Sequence, residues 1–106
     1  MNKKTIKVNS FHGHYDKSGK VHPNYILKVD QNKKMVLSAS FTHSKSKAIK
    51  IPDSIDKSDE SVCYVRKKLV EDKFYNYTSK EYNDLILSKD NKKIIMKLLE
   101  EHNKKS

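Results

Sequence analysis

The chain has 106 residues, enough for one domain with a modest core. Its formal net charge is +10, from 23 Lys and Arg against 13 Asp and Glu, and Arg66 is the only arginine. A single cysteine, Cys63, excludes an intramolecular disulfide, and no apolar stretch is long enough for a membrane-spanning helix.

These totals predict a cytoplasmic protein in a reducing compartment. The start, Met1-Asn2-Lys3-Lys4, is basic, but polar residues rather than an apolar signal core follow it. Charged residues make up 34% of the chain and apolar ones 35%, yet Ile, Leu, Val, Tyr and Phe cluster, which argues against disorder throughout. Lysines are spread from Lys3 to Lys105. Such an excess favours a polyanionic partner, nucleic acid foremost, over a merely solvated lysine-rich surface.

In chain order, Thr5 to Val8 reads as a short strand with Ile6 and Val8 on one face. Ser10 to Lys20 contains Gly13, Gly19, Asp and Ser and reads as a loop carrying His12, His14 and Tyr15. Pro23 suits the start of a strand that runs through Tyr25 to Val29. Asp30 to Lys33 is a turn. Lys34 to Phe41 returns as a strand in which Leu37, Ala39 and Phe41 alternate with Ser38 and Ser40. Ala48 to Ile51 is a further short strand, and Pro52 to Glu60 is an acidic loop.

Ser61 to Val70 reads as one long strand. Phe74, Tyr75 and Tyr77 suggest another strand or a packed turn. Thr78-Ser79-Lys80-Glu81 fits a capping box and predicts a short helix over 79–86. Ser88 or Asp90 caps a longer terminal helix with an apolar stripe of Ile94, Ile95, Leu98 and Leu99. Strands with turn-length links pair antiparallel. The expected class is therefore α+β, mainly β: one domain over residues 1–106, a small, partly open antiparallel β-barrel with a C-terminal helix.

Candidate chemistry gathers at strand ends. His22 stands before one strand, and Thr42, His43 and Ser44 end the next, so pairing brings an imidazole and hydroxyls together among lysines. A histidine titrates near neutrality and suits acid–base work. The Thr42 hydroxyl and the tip formed by His43, Ser44, Lys45, Ser46 and Lys47 suit a phosphate; the plain alternative is a turn with local hydrogen bonds. Tyr64 and Arg66 share a strand face, and Arg66 can stabilise phosphoryl charge or pair with the acidic loop. His12, His14, Tyr15, Lys17 and Lys20 can contact phosphates and stack on bases. His12-Gly13-His14 lacks the further ligands of a zinc site, so neither metal nor cofactor is expected. No P-loop, nucleotide fingerprint or serine nucleophile elbow occurs.

The order of these segments resembles the MazF/PemK (Kid) family of toxin endoribonucleases. Val21-His22-Pro23-Asn24-Tyr25-Ile26-Leu27 is similar to its Arg-Pro strand, and Val36 to Ser44 to its strand with a Thr-containing tip. Ser61 to Lys67 resembles the later strand, and a terminal helix closes both. The likeness runs from about Val21 onward in short blocks. His22 stands where the family carries its catalytic Arg, and Thr42 matches the family's Thr. The resemblance implies an SH3-like barrel, a homodimer and an acidic antitoxin. It also implies metal-independent cleavage of single-stranded RNA by 2′-OH attack, leaving a 2′,3′-cyclic phosphate. On that basis the catalytic candidates are His22 as base or acid, Thr42 as phosphate binder, Arg66 as charge stabiliser and His43 as reserve acid. His12, His14, Tyr15, Lys20, Ser44, Lys45, Lys47 and Tyr64 are the RNA-binding candidates. Two other readings remain: a non-catalytic nucleic-acid-binding module, and a regulatory protein with a protein partner.

Overall fold

In a computed structural model that describes residues 5–105, the chain forms seven strands and one helix. The strands are β1 (Phe11–Tyr15), β2 (Val21–Asp30), β3 (Met35–Thr42), β4 (Ala48–Lys50), β5 (Tyr64–Arg66), β6 (Val70–Lys73) and β7 (Tyr77–Tyr82). A 3₁₀ turn at Phe74–Asn76 joins the last two, and α1 covers Lys89–Lys105. The strands form one antiparallel sheet in the order β4-β5-β3-β2-β1-β7, with β6 also on β3. The protein is thus mainly β with a terminal helix, as expected. The sheet does not close into a barrel, because β6 and β7 pair with β3 and β1 rather than with each other.

β3 is the centre. β2 lies along one edge, while β5 and β6 share the other, β5 at Phe41 and Thr42 and β6 from Met35 to Ser38. β3 is flanked on both sides and buried on both faces, from Val36 through Ser38, Ala39 and Ser40 to Thr42. The long strand expected over 61–70 is broken. At Lys67 the backbone N–H turns away from β3 to the Lys47 carbonyl (3.1 Å), and pairing with β3 resumes at Val70.

Three other expectations need correction. Residues 5–8 form no strand: Ile6 is buried but Val8 is exposed. Ser10–Lys20 is not all loop, because Phe11–Tyr15 is β1, held between β2 and β7. Its glycine serves close packing rather than a turn, since a Cβ on Gly13 would lie 2.6 Å from Val21 Cγ1. The predicted helix over 79–86 is instead largely β7. Thr78 Oγ1, expected to cap that helix, accepts the Gly13 N–H (2.9 Å) and donates to the Lys80 carbonyl (2.9 Å).

One face of the sheet carries Phe11, Tyr25, Ala39, Phe41 and Val65, packed with Ile51, Ile55, Val62 and the helix residues Ile95 and Leu98. Phe11 meets Tyr25 edge-on at 5.1 Å between ring centres. The helix begins where Ser88 Oγ accepts the Asn91 N–H (3.1 Å), an N-cap. The buried Asn91 amide donates to the Asp53 carbonyl (2.7 Å) and so ties the helix start to the acidic loop. No helix among the described residues is long and apolar enough to cross a membrane.

Ile95 is fully buried, whereas Met96, about 100° further round the helix, is exposed. Ile95→Ala is expected to lower the unfolding free energy by about 2–5 kcal/mol and Met96→Ala by less than about 0.5 kcal/mol. Guanidinium denaturation checks both; equal losses would contradict this packing of α1.

Candidate functional site: two histidine–aspartate pairs on a concave sheet face

The second face of the sheet is polar. Register places His12 beside Asn24, His14 beside His22, Asn24 beside Ser40 and Ile26 beside Ser38. Ile6, Ile26, Val36 and Tyr77 form its small apolar cluster. Beside them runs an ordered hydrogen-bond chain. Burial pushes the Tyr77 phenol up to about 12, so it keeps its proton. It donates to Ser38 Oγ (2.8 Å), and Ser38 donates to the Asn24 amide oxygen (2.9 Å). The Asn24 NH₂ group then donates to Ser40 Oγ (3.1 Å). Every donor finds an acceptor, as a buried polar face requires.

His12 belongs to this packing. It is 1% exposed; its Nε2 accepts the Lys7 N–H (3.3 Å) and its Nδ1–H donates to the Thr78 carbonyl (3.0 Å). With both nitrogens on the backbone, its ring has nothing left for a base, contrary to the expected loop role. His14 is also buried, with Nε2 2.8 Å from Asp72 Oδ2 and its ring centre 4.7 Å from that of Tyr77. Partial burial pushes Asp72 up, but hydrogen bonds from His14, the Asn76 amide and the Lys73 N–H outweigh it and hold the carboxyl below its ordinary value.

His22 is half-buried at the start of β2. Its Nε2 lies 2.9 Å from Asp16 Oδ2. The other oxygen of Asp16 accepts the Ser18 hydroxyl (2.6 Å), the Ser18 N–H (2.8 Å) and the Lys20 N–H (3.0 Å). The Ser18 hydroxyl and then His22 hold Asp16 far below the ordinary carboxylate range, helped by those two backbone donors. The β1–β2 turn thus presents an ionised carboxylate to the imidazole.

The β2–β3 register, carried two residues beyond Asn24 and Ser40, sets His22 level with Thr42. Both are among the residues lining a cavity of about 330 Å³ at this end of the sheet, together with Lys20, His43 and residues of the apolar side, Phe41 and Val62. Thr42 is buried, and its Oγ1 accepts the Ser44 N–H (3.1 Å). Tyr64 on β5 is directly opposite Thr42. One face therefore carries Tyr77, His14, His22, Thr42 and Tyr64 in a row across five strands.

The remaining candidates lie around this row. Ser44, Lys45 and Lys47 are exposed on the β3–β4 turn, and Tyr15 is exposed at the end of β1. Arg66 pairs with Ala48 and reaches the Ser46 carbonyl (3.5 Å); it does not line the cavity. Larger hollows lack paired acid–base groups. In the one of about 530 Å³ between the β2–β3 hairpin and the end of α1, no hydrogen bond joins Asp30, Glu71 and His102.

The sequence reading missed both carboxylates. Asp16 had a local signal, an Asp two residues before a Ser in a Gly-containing turn near His22. Asp72 had none, being 58 residues from His14. Compared with known proteins, the chain matches no protein-family model, no curated protein and no solved structure.

A carboxyl with a lowered pKa stabilises the fold above its unfolded-state pKa, and that stability is lost as pH falls through the folded-state value. The wild type is therefore expected to exceed Asp16→Asn in stability at pH 7, with the gap narrowing steadily below about pH 4. Urea midpoints from pH 7 to 2 check this, and a pH-independent gap would refute it.

Proposed function

We propose that the protein is a metal-independent endoribonuclease acting on single-stranded RNA, of the kind that the MazF/PemK resemblance implies. The observation that carries this reading is the His22–Asp16 pair at a cavity shared with Thr42. Cleavage of RNA through its own 2′-OH needs no outside nucleophile. It needs a proton acceptor at the 2′-oxygen, a proton donor at the leaving 5′-oxygen and donors for the phosphoryl oxygens. The 2′-oxygen bonds to phosphorus as its proton departs, the bond to the 5′-oxygen breaks, and that oxygen takes up a proton. The products are a 2′,3′-cyclic phosphate and a 5′-hydroxyl.

Asp16 holds Nε2 of the His22 ring at 2.9 Å and so orients it for this proton transfer. The Thr42 hydroxyl is the donor to a phosphoryl oxygen. Lys20, Lys45 and Lys47 supply the field that draws in the phosphate backbone of the RNA. Arg66 adds its charge to that field by way of the 43–47 tip. Exposed Tyr15 and the half-buried Tyr64 offer stacking surfaces. The proposal extends to a cytoplasmic toxin, a homodimer and an acidic antitoxin that covers this basic face. A non-catalytic module would need the lysines but not the carboxylate-locked imidazole beside the threonine.

In EDTA, the wild type is expected to cut single-stranded RNA and leave cyclic phosphate ends. His22→Ala should slow cleavage by about 10²–10⁴-fold and Thr42→Ala by about 10²–10³-fold. Intact RNA at high enzyme concentration, or equal cleavage by all three proteins, would overturn the proposal.

A further inference from the structure

His14 and His22 are direct partners in the β1–β2 register, so they stand side by side on one face of the sheet. Cβ atoms of such a pair are about 4.5–5.5 Å apart. The two rings are held alike. Each gives its Nε2 to a carboxylate, His14 to Asp72 and His22 to Asp16. Neither Nδ1 takes part in a hydrogen bond among the described residues, and no buried side-chain nitrogen or oxygen among them lacks a partner. Among the described residues, both Nδ1 atoms are thus left without a protein partner.

Resting on the ribonuclease reading above, we infer that His14 is a second catalytic residue. The two proton transfers are divided between neighbouring imidazoles, with His14 as the base for the 2′-OH and His22 as the acid for the 5′-oxygen. Burial sets the assignment. The His14 side chain is 11% exposed and its ring lies against Tyr77, so it is the more enclosed of the two and is assigned as the base. The His22 side chain is 22% exposed, with its Nε2 on Asp16, and as the more open ring is assigned as the acid. The groups facing His14 are Asp72 from β6, Tyr77 from β7 and His22 from β2. Those facing His22 are Asp16, His14, Lys20 and His43. In one turnover the 2′-OH proton passes to His14 Nδ1 as the 2′-oxygen bonds to phosphorus. The His22 Nδ1 proton passes to the 5′-oxygen as its bond to phosphorus breaks. Exchange with water then resets both rings.

The test uses two RNAs: an ordinary oligonucleotide, and the same one with sulfur replacing the bridging 5′-oxygen at the mapped cleavage site. A thiolate leaves without a proton, so the sulfur substrate needs a base but no acid. His22→Ala is expected to lose about 10²-fold or more on the oxygen substrate and to recover most of this on the sulfur substrate. His14→Ala should lose a similar factor on both. The wild-type rate against pH should be bell-shaped, and His14→Gln should lose the acidic limb while retaining cooperative unfolding. If His14→Gln folds and cuts at the wild-type rate with the wild-type profile, the inference fails while the ribonuclease reading stands. If the wild type cuts neither RNA, that reading fails first. Recovery of His14→Ala on the sulfur substrate would reverse the two roles and overturn the assignment.

Discussion

Contact between His14 and Asp72 is possible only in a sheet that curls. Their strands, β1 and β6, are separated by β2 and β3, and strands in a sheet lie about 4.8 Å apart. The 2.8 Å hydrogen bond therefore spans a concavity rather than a flat surface. Its companions are the bulge where β2 passes Leu27 and the 3₁₀ turn that carries the chain from β6 to β7. Bulges raise the local twist and bend the strand, which brings the outer strands of the sheet towards each other. Asn76, in that turn, donates to the second oxygen of Asp72 at 2.8 Å, so the carboxylate is held from two directions. Removing either acid–base partner would leave the other half-buried without its hydrogen bond, a larger loss than the pair's net contribution to stability.

A curled face with a polar lining has one advantage over an apolar one: its side chains have fixed directions. From Tyr77 through Ser38 and Asn24 to Ser40, each hydroxyl and amide has its donor and acceptor roles set by the next. Such a chain positions β2, β3 and β7 relative to one another more narrowly than methyl packing does. His22 occupies the next position along β2 on this face, and His14 is the register partner of both His22 and Tyr77. Their placement is thus inherited from the hydrogen-bonded interior and does not depend on the exposed 43–47 tip.

How much of this was legible in the sequence depended on range. Alternation from Leu37 to Phe41 located β3, and the stripe through Ile95 and Leu98 located α1, because both signals are periodic within one element. The convergence of His22 with Thr42 followed from pairing two adjacent strands across a short turn. β1 was hidden because glycine, aspartate and serine crowd 10–20; Gly13 is there for close strand packing, whereas Gly19, at φ +86°, serves the turn. β7 was hidden because Thr78 and Glu81 mimic a helix cap when taken locally. Its pairing with β1 is a contact over 65 residues, and that contact decides where the Thr78 hydroxyl points. The Asp72 partner of His14 was beyond any local pattern for the same reason.

The distribution of charge completes the argument. The described lysines are exposed, while Asp16 and Asp72 are held by hydrogen bonds, Asp16 within its turn and Asp72 against β1. A cationic surface attracts any polyanion without regard to sequence. On this face of the sheet both carboxylates are already engaged by a histidine, while Lys20 and His43 are among the residues that line the cavity. In the proposed ribonuclease the attracting charge would come from lysines in turns, and the acid–base groups from strand positions fixed by the β1–β2–β3 register.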